Sequence, residues 1–278
     1  LADLAVKKYK AQNKVLTSFS HYWTQSGTQL GLETSAHTYA PKLILDGLNT
    51  RSKAQGDFNW GIASHPYGYY LQYSDMLLQD TTTGVANGMT DNYETTSLIS
   101  YTNLEVLDDY LHSENMLCNG QVRAVHITEG GISSYTNGEV DLNRQAGSIA
   151  YAYYKCANLE SVEAFIYYRC WDVEDEAINN ARFGLLKSFR WGTDGEPILN
   201  KKPAYDMYKY IDSPQTFEIT APYLATLEWQ LSDGSRISFE QKMEQDGTDV
   251  MTTVKNIMSV IGDRTWENWS PDNIIKTR

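Results

Sequence analysis

The feature that most constrains the fold is a strand-then-helix pattern that occurs four times between residues 15 and 211. Each predicted strand is short and rich in β-branched, small or aromatic residues, and a stretch with apolar residues at helical spacing follows it. The predicted strands are 15–20, 59–64, 122–127 and 162–168, and the helices that follow them are 39–54, 104–117, 142–157 and 203–211. Such alternation is typical of parallel βα units, so the sequence predicts an α/β fold with a parallel sheet.

Side chains that can bind or react come directly after every predicted strand. They are His21 and Trp23, His65 and Tyr67, Glu129, and Trp171 and Asp172. The carboxyl ends of parallel strands lie at one face, which is where α/β barrels place their chemistry. The rival fold is a doubly wound open sheet, but no predicted strand is followed by a phosphate loop of the form GxGxxG or GxxxxGK[ST].

Glu129 is the best candidate for a reactive group. It ends the segment VRAVHITEGG at residues 122–131, in which two glycines follow the carboxylate and allow a sharp turn or a close approach. A strand-end glutamate can equally cap a helix or pair with a lysine, so the segment alone leaves both interpretations open. The same holds for His65, which can brace the turn at Pro66, and for Asp172, which opens an acidic run at 172–176 typical of a solvated loop.

The amino-acid composition favours some classes of binding partner and argues against others. The chain has 20 Tyr and 7 Trp against 7 Phe, and rings with a polar handle suit stacking on sugars. A net charge of -12 argues against a nucleic-acid partner, and no apolar run approaches the ~20 residues of a membrane helix. The odd set Cys118, Cys156 and Cys170 excludes a disulfide scaffold or Cys-rich zinc site while allowing one bridge. No spacing predicts a metal or another cofactor.

Four segments together resemble clan A glycoside hydrolases, whose fold is a (β/α)8 barrel. ITEGG at 127–131 resembles their nucleophile strand, WGIASHPY at 60–67 resembles the sixth strand, and IYYRCWD at 166–172 resembles the eighth. FGLL at 183–186, then Asp194-Gly195 and KPAY at 202–205, are similar to the closing segment of those barrels. The closest likeness is to a group of secreted bacterial glycosidase-like barrels that forms a domain of unknown function.

The resemblance implies that residues 1–212 are the C-terminal half of a TIM barrel, strands five to eight. Residues 213–278 break the strand-helix pattern, so we expect them to be an appendage packed on the barrel. It implies retaining hydrolysis of a polysaccharide or oligosaccharide with Glu129 as nucleophile, and a secreted or cell-surface location. His21, Trp23, His65, Tyr67, Trp171 and Asp172 would contact the sugar. The acid/base carboxylate is expected upstream of Leu1, together with the missing barrel half, in the same protein or in another chain.

Two other functions stay open from sequence alone. One is a non-catalytic carbohydrate-binding barrel, or pseudo-enzyme, that has the aromatic walls but lacks the acid/base group. The other is a hydrolase that holds a metal with His21, His65 and acidic residues, although the spacing of these residues does not support a metal site.

Overall fold

The structure, a computed structural model, describes residues 14–32, 39–71, 73–136 and 138–245. Its strands are β1 (Val15–Phe19), β2 (Trp60–Ser64), β3 (Val125–Ile127), β4 (Tyr135–Thr136), β5 (Glu139–Val140), β6 (Val162–Phe165), β7 (Leu186–Trp191), β8 (Pro197–Lys201), β9 (Glu228–Gln230) and β10 (Arg236–Ser238). Its α-helices are α1 (Pro41–Ala54), α2 (Met76–Gln79), α3 (Glu105–His112), α4 (Leu142–Ala157), α5 (Glu174–Ile178), α6 (Pro203–Tyr210), α7 (Thr216–Leu224) and α8 (Phe239–Gln245). A π-helix, Asp80–Gly84, follows α2.

These elements form two compact units. The first unit comprises Leu1–Tyr69, Thr83–Gly130 and Leu159–Tyr167, and the second comprises Tyr70–Thr82, Gly131–Asn158 and Tyr168–Arg278. The sequence also predicts a helix at 1–13, from the spacing of its apolar residues, and one at 248–261, which Gly262 would end. These two segments, together with Trp266 and Trp269, lie outside the described residues. The predicted domain boundary after residue 212 stays a prediction.

The first unit contains a four-stranded parallel sheet in the order β1-β2-β3-β6. Thr17 pairs with Ile62, Ile62 with Val125, and His126 with Ala164, after an irregularity in β3 between Val125 and His126. The predicted α/β fold with a parallel sheet is therefore confirmed. The extension of this sheet into a (β/α)8 barrel stays a prediction.

β2 lies at the centre of the packing in the first unit, and all five of its residues are buried. A Cβ atom added to Gly61 would lie 2.6 Å from the Ala124 carbonyl oxygen and 2.7 Å from Leu16 Cδ2. The neighbouring strands thus approach β2 more closely than any other residue at position 61 permits.

Arg123 anchors the amino-terminal end of this sheet. Its side chain is fully buried and forms an ion pair with Asp57 at 2.7 Å. Its other donors reach Asn49 Oδ1 and the carbonyl oxygens of Met116 and Phe58, and its guanidinium lies 4.3 Å from the centre of the Trp60 ring. The buried charge is thereby paired and its hydrogen-bonding groups are satisfied, as burial of a charge requires.

The second unit is built around α4. Asp141 caps this helix by accepting hydrogen bonds from the backbone N–H groups of Asn143 and Arg144. A Cβ atom on Gly147 would lie 2.4 Å from the Tyr223 carbonyl oxygen, so α7 packs directly on the backbone of α4. The Tyr154 hydroxyl adds hydrogen bonds to Thr216 and Thr220 of α7 at 2.7 and 2.8 Å.

Two antiparallel hairpins complete the second unit, β7 with β8 and β9 with β10. The sequence predicts a hairpin here, because residues 226–231 and 236–239 flank the turn-forming segment 232–235, and the pairing of β9 with β10 confirms it. A two-stranded ribbon of β4 and β5 precedes α4. Within the part of the chain that the structure describes, no helix is long and apolar enough to cross a membrane.

We expect Gly61→Ala to lower the free energy of unfolding by about 1–3 kcal/mol, since the new methyl group would meet the backbone carbonyl of Ala124, just before β3, and Leu16 Cδ2. Urea unfolding followed by circular dichroism measures the change. Gly47→Ala is the matched control, because Gly47 lies in α1 with nothing within 4 Å of the added atom. This control should be neutral or stabilising by about 0.5–1 kcal/mol, and equal stability of the two variants would contradict the tight approach at Gly61.

Candidate active site

The carboxyl ends of the parallel strands carry the candidate residues of the first unit. Backbone hydrogen bonds continue one step beyond each strand: His65 N–H donates to the Phe19 oxygen at 3.1 Å, and Thr128 N–H donates to the Ser64 oxygen at 3.3 Å. Ile166 N–H likewise donates to the Ile127 oxygen at 2.8 Å. The residues after β2 and β3 are therefore fixed by the sheet itself, as an active-site edge requires.

Glu129 is half-buried and accepts a hydrogen bond from the Tyr67 hydroxyl, with 2.7 Å between the phenol oxygen and Oε1. Among the described residues this is its one hydrogen bond, and none of the ion pairs includes it. The phenol O–H therefore positions one oxygen of the carboxylate. The two alternatives left open by the sequence, a helix cap and a lysine pair, do not describe the contacts of Glu129 in this part of the chain.

The side chain of Tyr101 explains why a glycine, Gly130, follows Glu129. A Cβ atom on Gly130 would lie 2.1 Å from the Tyr101 hydroxyl oxygen, so no other residue fits beneath this phenol without moving it. The Tyr101 side chain is fully buried and its ring lies 5.9 Å from that of Phe165. Gly130 thus permits a buried aromatic side chain to pack against the backbone beside the carboxylate.

His65 connects three adjacent strands by its side chain. Its Nε2 atom lies 3.1 Å from Thr128 Oγ1 and 3.4 Å from Ser18 Oγ. Pro66 follows it, and the Tyr67 N–H donates to the His65 carbonyl oxygen at 2.9 Å. The segment that carries Tyr67 toward Glu129 is therefore held both by a backbone turn and by the imidazole ring.

His21 lies beside the Tyr67 ring and is shielded from solvent. It is 7% exposed, and its ring is 6.4 Å from the Tyr67 ring in an edge-on arrangement. Nδ1 lies 3.2 Å from the Ser20 hydroxyl, while Nε2 is buried and has no hydrogen-bond partner among the described residues. Burial lowers the pKa of His21 to about 4, so the ring is neutral at pH 7.

Trp23 is packed more deeply than the other candidates of the first unit. It is 3% exposed, its indole N–H donates to the Tyr93 carbonyl oxygen at 2.7 Å, and its ring meets that of Tyr110 edge-on at 5.0 Å. These contacts describe core packing. The sugar contact predicted for Trp23 gains no support from them.

Trp171 and Asp172 belong to the second unit. The Trp171 indole is 45% exposed and stacks on Phe189 with 5.7 Å between ring centres. Asp172 Oδ1 accepts hydrogen bonds from the Lys202 ammonium group at 2.9 Å and from the Gly184 N–H at 2.8 Å. The exposed indole is available for a ligand, whereas the aspartate oxygen already has two donors.

Lys202 is the ion-pair partner of Asp172, and the sequence did not predict this pair. Its side chain is fully buried and also donates to Ser134 Oγ and to the Arg182 carbonyl oxygen. Burial lowers the pKa of Lys202, although the Asp172 carboxylate opposes the shift. A lysine before a proline carries no local signal for burial, and the same is true of Ser18, Tyr101 and Thr128, whose contacts all depend on distant segments.

Two further observations concern the cysteines and the groups that could bind a metal ion. Cys118 and Cys156 are buried free thiols and Cys170 is an exposed one, so the single bridge that the sequence allows is not formed. Among the residues that the structure describes, no group of three or more His, Cys, Asp or Glu side chains is arranged to hold a metal ion.

The buried, neutral His21 predicts a pH-dependent stability. Because its pKa is about 4 in the folded chain and about 6.5 when unfolded, the unfolded chain binds a proton more readily and stability is lost as pH falls between these values. This group should contribute a loss of about 2 kcal/mol between pH 7 and pH 5. Urea unfolding at both pH values should show a smaller drop for His21→Gln. The control is His112→Gln, at an exposed histidine whose pKa is raised by Asp108 and Glu160. It keeps the contribution of His21 and removes one of opposite sign, so its drop should be at least as large as that of the wild type. An unchanged drop in His21→Gln would contradict the assignment.

The sequence was compared with protein families and with curated proteins, and only the first comparison found a match. A family of unknown function (DUF5722) matches residues 1–232. No curated protein matches the sequence. The family description assigns no activity, so the resemblance to glycoside hydrolases stays a prediction. The match covers most of the chain, which therefore belongs to the family of unknown function DUF5722.

Proposed function

We propose that the protein is a retaining glycoside hydrolase in which Glu129 is the nucleophile. The observation that carries the proposal is the hydrogen bond from the Tyr67 hydroxyl to Glu129 Oε1 at a strand end. This carboxylate is half-buried, belongs to no ion pair among the described residues, and is positioned by the Tyr67 hydroxyl. A positioned carboxylate with a free oxygen is what attack on an anomeric carbon requires.

In the proposed reaction the Oε2 atom of Glu129 attacks the anomeric carbon of the substrate. The bond to the leaving-group oxygen breaks as the glycosyl–enzyme ester forms, and a second carboxyl group donates its proton to the departing oxygen. The same group then removes a proton from water, which attacks the ester and releases Glu129. Tyr67 positions the nucleophile through Oε1 throughout the cycle.

The second carboxyl group is part of the proposal. From the resemblance to clan A barrels, we propose that it lies on another strand of a (β/α)8 barrel. We propose that the remaining strands of this barrel come from the same protein or from another chain. A carbohydrate partner and a secreted or cell-surface location belong to the same proposal.

Two further side chains have proposed roles in sugar binding. Trp171 offers an indole face that is 45% exposed, and aromatic faces of this kind stack on sugar rings. His21 remains neutral at pH 7, so it can exchange a hydrogen bond with a sugar hydroxyl without placing a positive charge near the nucleophile.

The first test uses aryl glycosides with a 2,4-dinitrophenolate leaving group, which departs without protonation and so reports on the nucleophile alone. Glu129→Gln should lower kcat for glycosyl-enzyme formation by ~1,000-fold or more. Tyr67→Phe should lower it by ~10–100-fold, because it removes one hydrogen bond to a charged group. Glu139→Gln, at an exposed residue of β5, is the matched control and should leave the rate unchanged.

A 2-deoxy-2-fluoro glycosyl fluoride supplies the second test, because it traps the ester intermediate of retaining enzymes. Mass spectrometry of the digested protein should place the label on Glu129, and azide should restore turnover in Glu129→Ala by attacking in place of the missing carboxylate. A label on another carboxylate refutes the assignment. Saturable sugar binding without turnover or labelling would instead support the non-catalytic alternative.

A further inference from the structure

The second unit contains a cavity of about 470 Å³ that no part of the proposed hydrolysis uses. Its volume lies within the range of small-molecule sites, roughly 300–1,000 Å³. Its aliphatic lining is formed by Val140, Leu142, Val173 and Ala177. Among the residues that the structure describes, no aromatic ring lines the cavity, so it is unsuited to stacking on a sugar.

Most of the other lining residues are charged, and the cationic ones are in excess. Arg182, Lys187 and Lys202 line the cavity together with the carboxylates of Asp172 and Glu174. Lys202 and Asp172 neutralise each other in their ion pair at 2.9 Å. Arg182 and Lys187 then face a single carboxylate, which leaves one positive charge in a chain whose net charge is -12.

Arg182 has the feature expected of an unoccupied recognition group. Its Nε atom is buried and has no hydrogen-bond partner among the described residues. Its backbone, by contrast, is fixed: the N–H donates to Ser133 Oγ at 3.2 Å and the carbonyl oxygen accepts from Lys202. A buried polar nitrogen without a partner is costly unless a ligand satisfies it.

We propose that this cavity binds a small organic monocarboxylate with an apolar body. The Arg182 guanidinium holds the carboxylate through paired N–H donors, a geometry that matches the two oxygens of this group. Lys187 supplies a second positive charge at the cavity rim. The aliphatic lining covers the body of the ligand, and a monoanion balances the one excess charge where a phosphate dianion would exceed it.

Calorimetric titration of the full chain with hexanoate tests the proposal. Binding should be saturable, and acetate should bind at least ~10-fold more weakly because it lacks the methylene groups that meet the aliphatic lining. Hexan-1-ol should bind at least ~10-fold more weakly because it lacks the carboxylate. Inorganic phosphate should bind more weakly than hexanoate.

Arg182→Gln should weaken hexanoate binding by ~10-fold or more. Arg190→Gln on β7 is the matched control: it removes the same charge from an exposed residue that does not line the cavity, and it should bind as the wild type does. Lys187→Gln, at an exposed residue, provides a second variant that should fold normally and bind more weakly. Equal binding of hexanoate and hexan-1-ol, preferential binding of phosphate, equal effects of Arg182→Gln and Arg190→Gln, or no hexanoate binding would each overturn the proposal.

Discussion

The arrangement of the strands in the first unit depends on one buried charge. The Arg123 guanidinium is removed from water completely, and Asp57, Asn49 and two backbone carbonyl oxygens replace its hydration. Because an unpaired charge in this position would be very costly, these partners have to assemble together. They fix the end of α1, the approach to β2 and the start of β3 in one arrangement. The pairing of β2 with β3 follows from it, and so does the alignment of their opposite ends.

The candidate site uses that alignment. Parallel pairing places His65 after β2 and Thr128 after β3 within one hydrogen bond of each other, and Tyr67 then reaches Glu129. The carboxylate is positioned by residues from neighbouring strands, and a buried Tyr101 occupies the space above Gly130. Rigid strand ends of this kind can hold a reactive group at a defined distance from a ligand, which is the basis of the role proposed for Glu129.

The second unit repeats the same electrostatic principle with different residues. Lys202 is buried because Asp172, Ser134 and the Arg182 carbonyl oxygen replace its water. Asp75 is buried at the start of α2, where it accepts hydrogen bonds from the N–H groups of Leu78 and Glu228 and pairs with Arg144. Burial nevertheless raises the pKa of Asp75 to about 6, so desolvation outweighs these contacts. Each pair ties together segments that are distant in sequence.

The sequence by itself predicted the alternation of parallel strands and helices, because periodicity and composition are local: α4 is found at the predicted residues 142–157, and His65 and Glu129 follow β2 and β3. The sequence predicts a fourth strand that runs to residue 168, whereas β6 ends at Phe165, so Trp171 and Asp172 lie beyond it in the second unit. The sequence did not predict α7, whose interior holds Pro222, or the β7–β8 hairpin. Only the tertiary structure decided that Tyr67 reaches Glu129, that Trp23 packs inside and that Lys202 meets Asp172. These outcomes depend on contacts between distant segments, and local propensity contains no information about such contacts.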